Sequence, residues 1–302
     1  MSDMNVNCKH KQVVKNVNEK IDFCRKCGCF LVIKYNEKSK EVEAYSILHR
    51  KMVTSLDISP FDTFHNISLS VNSNNFSKYY DNLPKEYHSL RKTLLDYLKD
   101  YIVEYNFSSR SYFLGAFCLD YIFSKYSYEE MLIKLKPDLL ALGVFLISVK
   151  FIDDDAYPPT LETFTNKSNP SIFYSLNEVR KYEFMVAKLM EFKLDFFTSY
   201  YLTETILSHG VIFTYEIQKM GLSDAKAIKE IIKKVNKLAL DINKMFVDDI
   251  SSMKYSSLEI AASSILMAKE LLKFDISWNN ELVALYGIKA DDLNNCYNSI
   301  LK

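Results

Sequence analysis

Glycine and proline are scarce, six of each in 302 residues. All-β folds need many tight turns, so this scarcity argues for long helices. The few glycines are also far apart. The nearest two, Gly210 and Gly221, exclude a glycine-rich phosphate loop, which needs closely spaced glycines. Neither sign of charge is in excess: 38 Lys and Arg meet 38 Asp and Glu. That removes the usual electrostatic case for a nucleic-acid binder, whose affinity rests on neutralising phosphates. The longest apolar run, residues 139–149, is too short to span a bilayer. The N-terminal MSDMNVNCKHKQ has no apolar core and does not read as a signal peptide. The six cysteines suggest no disulfide framework, and these features together point to the nucleus or the cytoplasm. No catalytic triad or carboxylate dyad stands out, so the chain does not read as an enzyme.

What is present is a large helical core. The chain is 48% hydrophobic and 25% charged, the balance of a globular protein. Residues 1–45 form a Cys- and Lys-rich unit, and residues 46–80 a polar, Ser/Asn-rich linker. From about residue 84 apolar positions recur at steps of three and four, as in a helix. The pattern predicts helices over 84–105, 110–124, 138–152, 160–165 and 176–191, then 198–209, 224–248, 256–273, 278–286 and 290–301. The helix over 138–152 is apolar on every side and should lie at the centre of a bundle. The helix over 256–273 opens on a candidate capping box, Ser256 to Glu259. Its small residues Ala261, Ala262 and Ser263 parallel Ala141 and Gly143 of the earlier helix. Cys118 and Cys296 read as small core hydrophobes. The fold class is all-α, with two bundles of about five helices, one over 81–197 and one over 198–302.

Five stretches, in order and at compatible spacing, resemble the cyclin family over roughly residues 84–302. LRKTLLDYLKDYIVEYNFSSRSYFLGAFCLDYIFS (90–124) is similar to the family's M-R-x-I-L-x-D-W-L and L-A-x-x-Y-x-D-R-F-L-S. LGVFLISVKFIDDDAYPPTLETF (142–164) resembles L-L-A-S-K-Y-E-E-x-x-P-P-x-x-x-D-F, with two extra residues between lysine and prolines. VRKYEFMVAKLMEFKLDF (179–196) resembles V-x-x-M-E-x-x-I-L-x-x-L-x-F-D-L. In the second half, YSSLEIAASSILMAKEL (255–271) and SWNNELVALYGIKADDLNNCYNSI (277–300) resemble the family's remaining motifs.

The resemblance implies tandem cyclin folds and a regulatory subunit that binds a cyclin-dependent protein kinase and favours its active conformation. Such partners serve the cell cycle or transcription. Arg91 and Asp120 match the family's buried ion pair, and Leu139 its packing leucine. Lys150 and Glu183 match the pair that grips the kinase's C-helix, with Phe151, Phe192 and Leu194 as surrounding apolar contacts. The alternative for Lys150 and Glu183 is an internal bridge with no partner. Asp153, Asp154 and Asp155 replace the family's acidic pair, either facing a basic patch on a kinase or forming a solvated loop. The substrate-docking patch of some cyclins corresponds to Leu90, Thr93, Leu94 and Tyr97, with Asp100 able to receive an arginine. Thr93 and Tyr97 make it more polar than in the family.

Four cysteines crowd into residues 8–29. Cys8, His10, Cys24 and Cys27 make C-x-H…C-x2-C, with Gly28 following, and resemble a zinc ribbon. Tetrahedral zinc takes four such N and S ligands. Cys29 is a substitute ligand or a spare, and reduced thiols without metal are the alternative to a structural zinc site. Residues 1–60 carry 11 Lys and Arg against 7 Asp and Glu, a solvated extension or a small basic patch. A zinc ribbon before two cyclin folds is also the plan of transcription factor IIB-like proteins. That makes a DNA- and polymerase-associated module the second reading. A structural subunit of a larger assembly is the third.

Overall fold

A computed structural model describes residues 80, 81, 83–126, 136–153, 160–165, 174–275 and 277–300. It also describes the backbone of four short strands: β1 (Val13–Val14), β2 (Ile21–Cys24), β3 (Phe30–Asn36) and β4 (Glu41–Ser46). The strands pair antiparallel in the order β1-β2-β3-β4. From residue 80 onward the described chain is helical. Its α-helices are α1 (Lys85–Glu104), α2 (Ser109–Lys125), α3 (Pro137–Ile152), α4 (Leu176–Leu189), α5 (Ser199–His209), α6 (Thr214–Lys219), α7 (Ala225–Asp248), α8 (Ser257–Leu271), α9 (Asn280–Tyr286) and α10 (Ala290–Ile300). Single 3-10 turns lie at Leu161–Phe164 and Ile250–Lys254. The chain divides into two compact units. One comprises residues 74–201 with 244–257, the other 202–243 with 258–302 and 1–73.

The first of these units is built around α3. Every residue from Leu139 to Val149 is buried, so this helix needs no polar face. On α1 the buried residues Tyr87, Arg91, Leu94, Leu95, Leu98 and Ile102 follow the helical period and supply one wall. A capping box starts α4: Glu178 N–H donates to Ser175 Oγ (3.3 Å), and Ser175 N–H donates to the Glu178 carboxylate (2.9 Å). In the second unit Ala261, Ala262 and Ser263 of α8 are fully buried, and Ser263 Oγ donates to the Leu293 carbonyl of α10 at 3.1 Å. Cys118 and Cys296 are buried in their respective units.

The second unit also buries a charged pair. Lys269, wholly inside, donates to Glu216 Oε1 and to the Val211 carbonyl, each at 2.9 Å. Glu216 belongs to α6, a six-residue helix too short to show a period. His209 is buried at the end of α5, and burial holds its imidazole pKa below the ordinary 6.5. As pH falls the unfolded chain takes up that proton first, so the folded state loses stability below about 6.5. Urea unfolding at pH 5 and pH 7 should show this loss, and His209→Gln should shrink it. An unchanged difference in the variant would assign the acid sensitivity to other groups.

The scarcity of glycine has a local counterpart at the helix ends. Left-handed backbone commonly closes a helix, and glycine normally takes it. Here Asn106, Glu191 and Lys273 occupy the left-handed position after α1, α4 and α8, with φ of 54°, 53° and 59°. Each end makes the paired backbone bonds of a Schellman motif. After α4, for example, Phe192 N–H donates to the Ala187 carbonyl and Glu191 N–H to that of Lys188, both at 2.9 Å. The residue that follows is apolar each time: Phe107, Phe192 and Phe274.

Helix α7 carries its charges in an unusual order. Its first turn has no acidic residue but holds Lys226, and its last turn has no basic residue. The helix dipole favours the reverse, and both ends are answered from outside the helix: Asp224 Oδ2 accepts from Ala227 N–H at 3.0 Å, and Arg91 donates to the carbonyls of Val247 and Asp248. Lys229, Lys233 and Lys237 also follow one another at four-residue steps. Like charges so placed cost a helix about 0.2–0.5 kcal/mol per pair. Glu230, 3.4 Å from Lys233, offsets part of this.

Candidate functional site

Two helices of the first unit make the site. Gly143 on α3 lets α4 come close: a Cβ there would stand 3.1 Å from the Tyr182 carbonyl carbon and oxygen and 3.2 Å from Val186 Cγ2. Backbone atoms cannot give way as a flexible side chain can. Gly143 and Lys150 lie seven residues apart, two turns along one helix face. The close approach at Tyr182 therefore carries the next residue, Glu183, to Lys150. Gly143→Ala should cost about 1–3 kcal/mol by overpacking. Chemical denaturation reads this, and an unmoved midpoint would mean that the helices part freely.

The structure joins Lys150 Nζ to Glu183 Oε1 in a hydrogen-bonded ion pair. The lysine side chain is 41% exposed and the glutamate 20%. An ammonium has three donors. Among the described residues Glu183 takes one of them. Phe151 beside the lysine is 46% exposed, and Phe192 is 67% exposed. Leu194 is half-buried. The Schellman turn after α4 sets Phe192, and ion pairs brace it: Glu191 bonds Lys125 and lies 3.3 Å from Lys193.

The reading of the sequence missed Phe184, which is 57% exposed and meets Phe192 edge to face with ring centroids 6.3 Å apart. Lys188 Nζ lies 5.6 Å from its ring centroid. The signal was available. Val179, Tyr182 and Val186 define the buried stripe of α4, and Phe184 falls off it. A large apolar residue on a helix's solvent face carries more information than one in its core.

Asp153 has a structural place that the sequence reading did not foresee. It is half-buried and hydrogen-bonded within the unit, not a solvated loop residue. Its Oδ2 accepts from Ser111 Oγ at 2.6 Å and from Ser108 N–H at 3.3 Å. It thus puts a carboxylate at the N-terminus of α2, where the helix dipole favours an anion. An acid that is ill-placed at the end of α3 is well placed at the start of its neighbour. Asp154 and Asp155 lie outside the described residues.

Arg91 and Asp120 are brought together in the interior. Arg91, 1% exposed, donates from Nε to Asp120 Oδ1 (2.7 Å) and from Nη2 to Oδ2 (3.0 Å). It also donates to the carbonyls of Val247 (2.9 Å) and Asp248 (3.2 Å), which end α7 without helical partners. Tyr87 donates to Asp120 at 2.8 Å. Burial first, and then the charge of Asp120, pushes the Tyr87 hydroxyl pKa up, so it stays a donor. Asp248 is anchored in turn by Tyr112 and by Lys99 at 2.8 Å. Leu139 is fully buried on α3.

The docking patch read from α1 needs a correction. Leu94 is 0% exposed and belongs to the core, so it offers no surface. The helical period turns it inward with Arg91 and Leu98, while Thr93, Tyr97 and Asp100 are exposed and Leu90 is half-buried. Of the zinc ligands read from the sequence, Cys8, His10 and Cys27 lie outside the described residues. Cys24 is described only by its backbone, at the end of β2. No helix among the described residues is long and apolar enough to cross a membrane.

This geometry defines a helical protein of two compact units, with a partly exposed ion pair and exposed aromatic side chains on the first. Comparison with known families names it further. The cyclin N-terminal domain matches residues 62–195 and the cyclin C-terminal domain residues 215–302. The chain belongs to the cyclin family, and its architecture is that of tandem cyclin folds. The X-ray structure of a viral cyclin from herpesvirus saimiri has the same fold, with a TM-score of 0.58 and 12% identity. It covers 79% of this chain and 94% of its own. Further similarity is found to the yeast RNA Pol II CTD kinase CTDK-1 complex (12% identity, TM-score 0.49, 75% of this chain and 69% of that one). Another is to the CAK complex from Chaetomium thermophilum bound to ATP-gamma-S (11%, 0.45, 80% and 72%). Comparison with curated proteins finds no match.

Proposed function

We propose that this chain is a regulatory subunit that binds a cyclin-dependent protein kinase and favours its active conformation. The observation that carries the reading is the Lys150–Glu183 pair, partly open to solvent, with the exposed Phe151 and Phe184 next to it in sequence and Phe184 packed against the exposed Phe192. Two large apolar side chains in contact on an exposed face, as Phe184 and Phe192 are, mark an interaction surface. A charged pair beside them supplies donors and acceptors for a partner's backbone. The chain itself performs no chemistry. It acts by affinity, holding the kinase in the state in which the kinase's own Lys–Glu pair forms and its activation segment is ordered. A partner shifts such an equilibrium only by as much as it prefers one state.

The test is recovery of a kinase with the protein. The full chain, captured from its own cells, should bring down a protein kinase whose activity on a peptide substrate rises with the amount of chain added back. The chain alone should phosphorylate nothing. Folded chain that recovers no kinase would defeat the proposal. Salt-sensitive DNA binding in its place would favour the transcription factor IIB-like reading.

A further inference from the structure

We propose that α7 presents a docking row for an extended acidic peptide segment of a protein partner. From Lys226 to Lys237 the exposed residues are Lys226, Lys229, Lys233, Lys234, Lys237 and a single glutamate, Glu230. All lie in the second unit. Among the described residues only Lys233 of the five has an acidic partner, and that partner is Glu230. The chain as a whole is neutral, so this is a local concentration of charge and not a trend of the sequence.

A second observation is independent of exposure. Lys229, Lys233 and Lys237 repeat at four-residue steps, a spacing of like charges that works against the helix. A solvated face selected for stability would interleave glutamates. A row of unneutralised lysines is relieved when anions lie along it.

The geometry selects the partner's chemistry. Lys226 to Lys237 spans about 16 Å at 1.5 Å per residue, which an extended chain covers in about five residues. Alternate side chains of such a chain stand about 7 Å apart on one side, near the four-residue step of about 6 Å along the helix. Carboxylates at alternate positions can therefore each reach a lysine. A nucleic acid fits less well. The exposed face has no aromatic side chain to stack on bases and no arginine to grip phosphate in two-pronged fashion. This row belongs to the second unit, and its binding does not depend on the kinase contact proposed for the first.

The experiment uses the full chain and a fluorescein-labelled eight-residue peptide of alternating glutamate and serine, followed by fluorescence anisotropy at low salt. The wild-type chain should bind, and added salt should weaken the binding. Changing Lys226, Lys229, Lys233 and Lys237 together to glutamine should weaken it at least about tenfold. The same change at the exposed Lys85, Lys92, Lys181 and Lys289 alters net charge equally and should move it less than about twofold. Three results would each overturn the proposal. These are no peptide binding at low salt, equal losses in the two variants, or a single-stranded oligonucleotide displacing the peptide at lower concentration than unlabelled peptide does.

Discussion

Asp120→Ala should lower the unfolding free energy by about 3–5 kcal/mol, the cost of stranding a buried charge. Arg91 is 1% exposed and loses both bonds of a two-pronged contact, and Tyr87 loses its acceptor at the same time. The carbonyls of Val247 and Asp248 would still engage the guanidinium but cannot neutralise it. The pair is architecture, and its value lies in being complete. Removing both charges, as Arg91→Met with Asp120→Leu, should therefore recover part of the loss. Guanidinium denaturation of the two variants measures this. A cost for Asp120→Ala below about 1 kcal/mol, the range of an exposed pair, would contradict the buried geometry.

Lys150→Ala combined with Glu183→Ala should have the opposite profile. The pair is partly exposed, and exposed pairs contribute about 0–1 kcal/mol to stability. The thermal transition should thus hardly move. At an interface the same groups are desolvated, and their loss costs about 2–5 kcal/mol. That corresponds to a fall in kinase affinity of about thirty-fold to several thousand-fold. Undiminished kinase recovery by the double variant would exclude this face as the contact. A collapse of the thermal transition would instead make the pair structural.

Much of this was legible because it is local. An uninterrupted apolar run can only be a central helix, and Gly143 within it announced a close neighbour. Arg91, Lys150 and Glu183 sit inside short stretches that resemble the family's motifs, and the resemblance singles them out. What was not legible depends on residues distant in sequence. Lys269 lies near a helix end where a lysine is usually solvated, and its hydrogen bonds to Val211 and Glu216, more than fifty positions earlier, make its burial tolerable. Asp153 reads as an acid at the wrong helix end until α2 is placed against it. Leu94 reads equally well as surface or core, and the packing of α1 decides. Helix ends were hard to read for a further reason. Gly210, Gly221 and Gly287 mark three helix ends, but at three others the left-handed closing residues are Asn106, Glu191 and Lys273, which carry no such label in sequence.

One of those closures bears on the thermodynamics of association. Phe192 is itself left-handed, with φ of 57°, and its backbone N–H is tied to Ala187. Binding ordinarily forfeits entropy as loops and side chains freeze. Here the backbone freedom at the most exposed phenylalanine among the described residues was given up when the chain folded, so a partner that covers it meets a rigid anchor and keeps more of the contact's free energy as affinity.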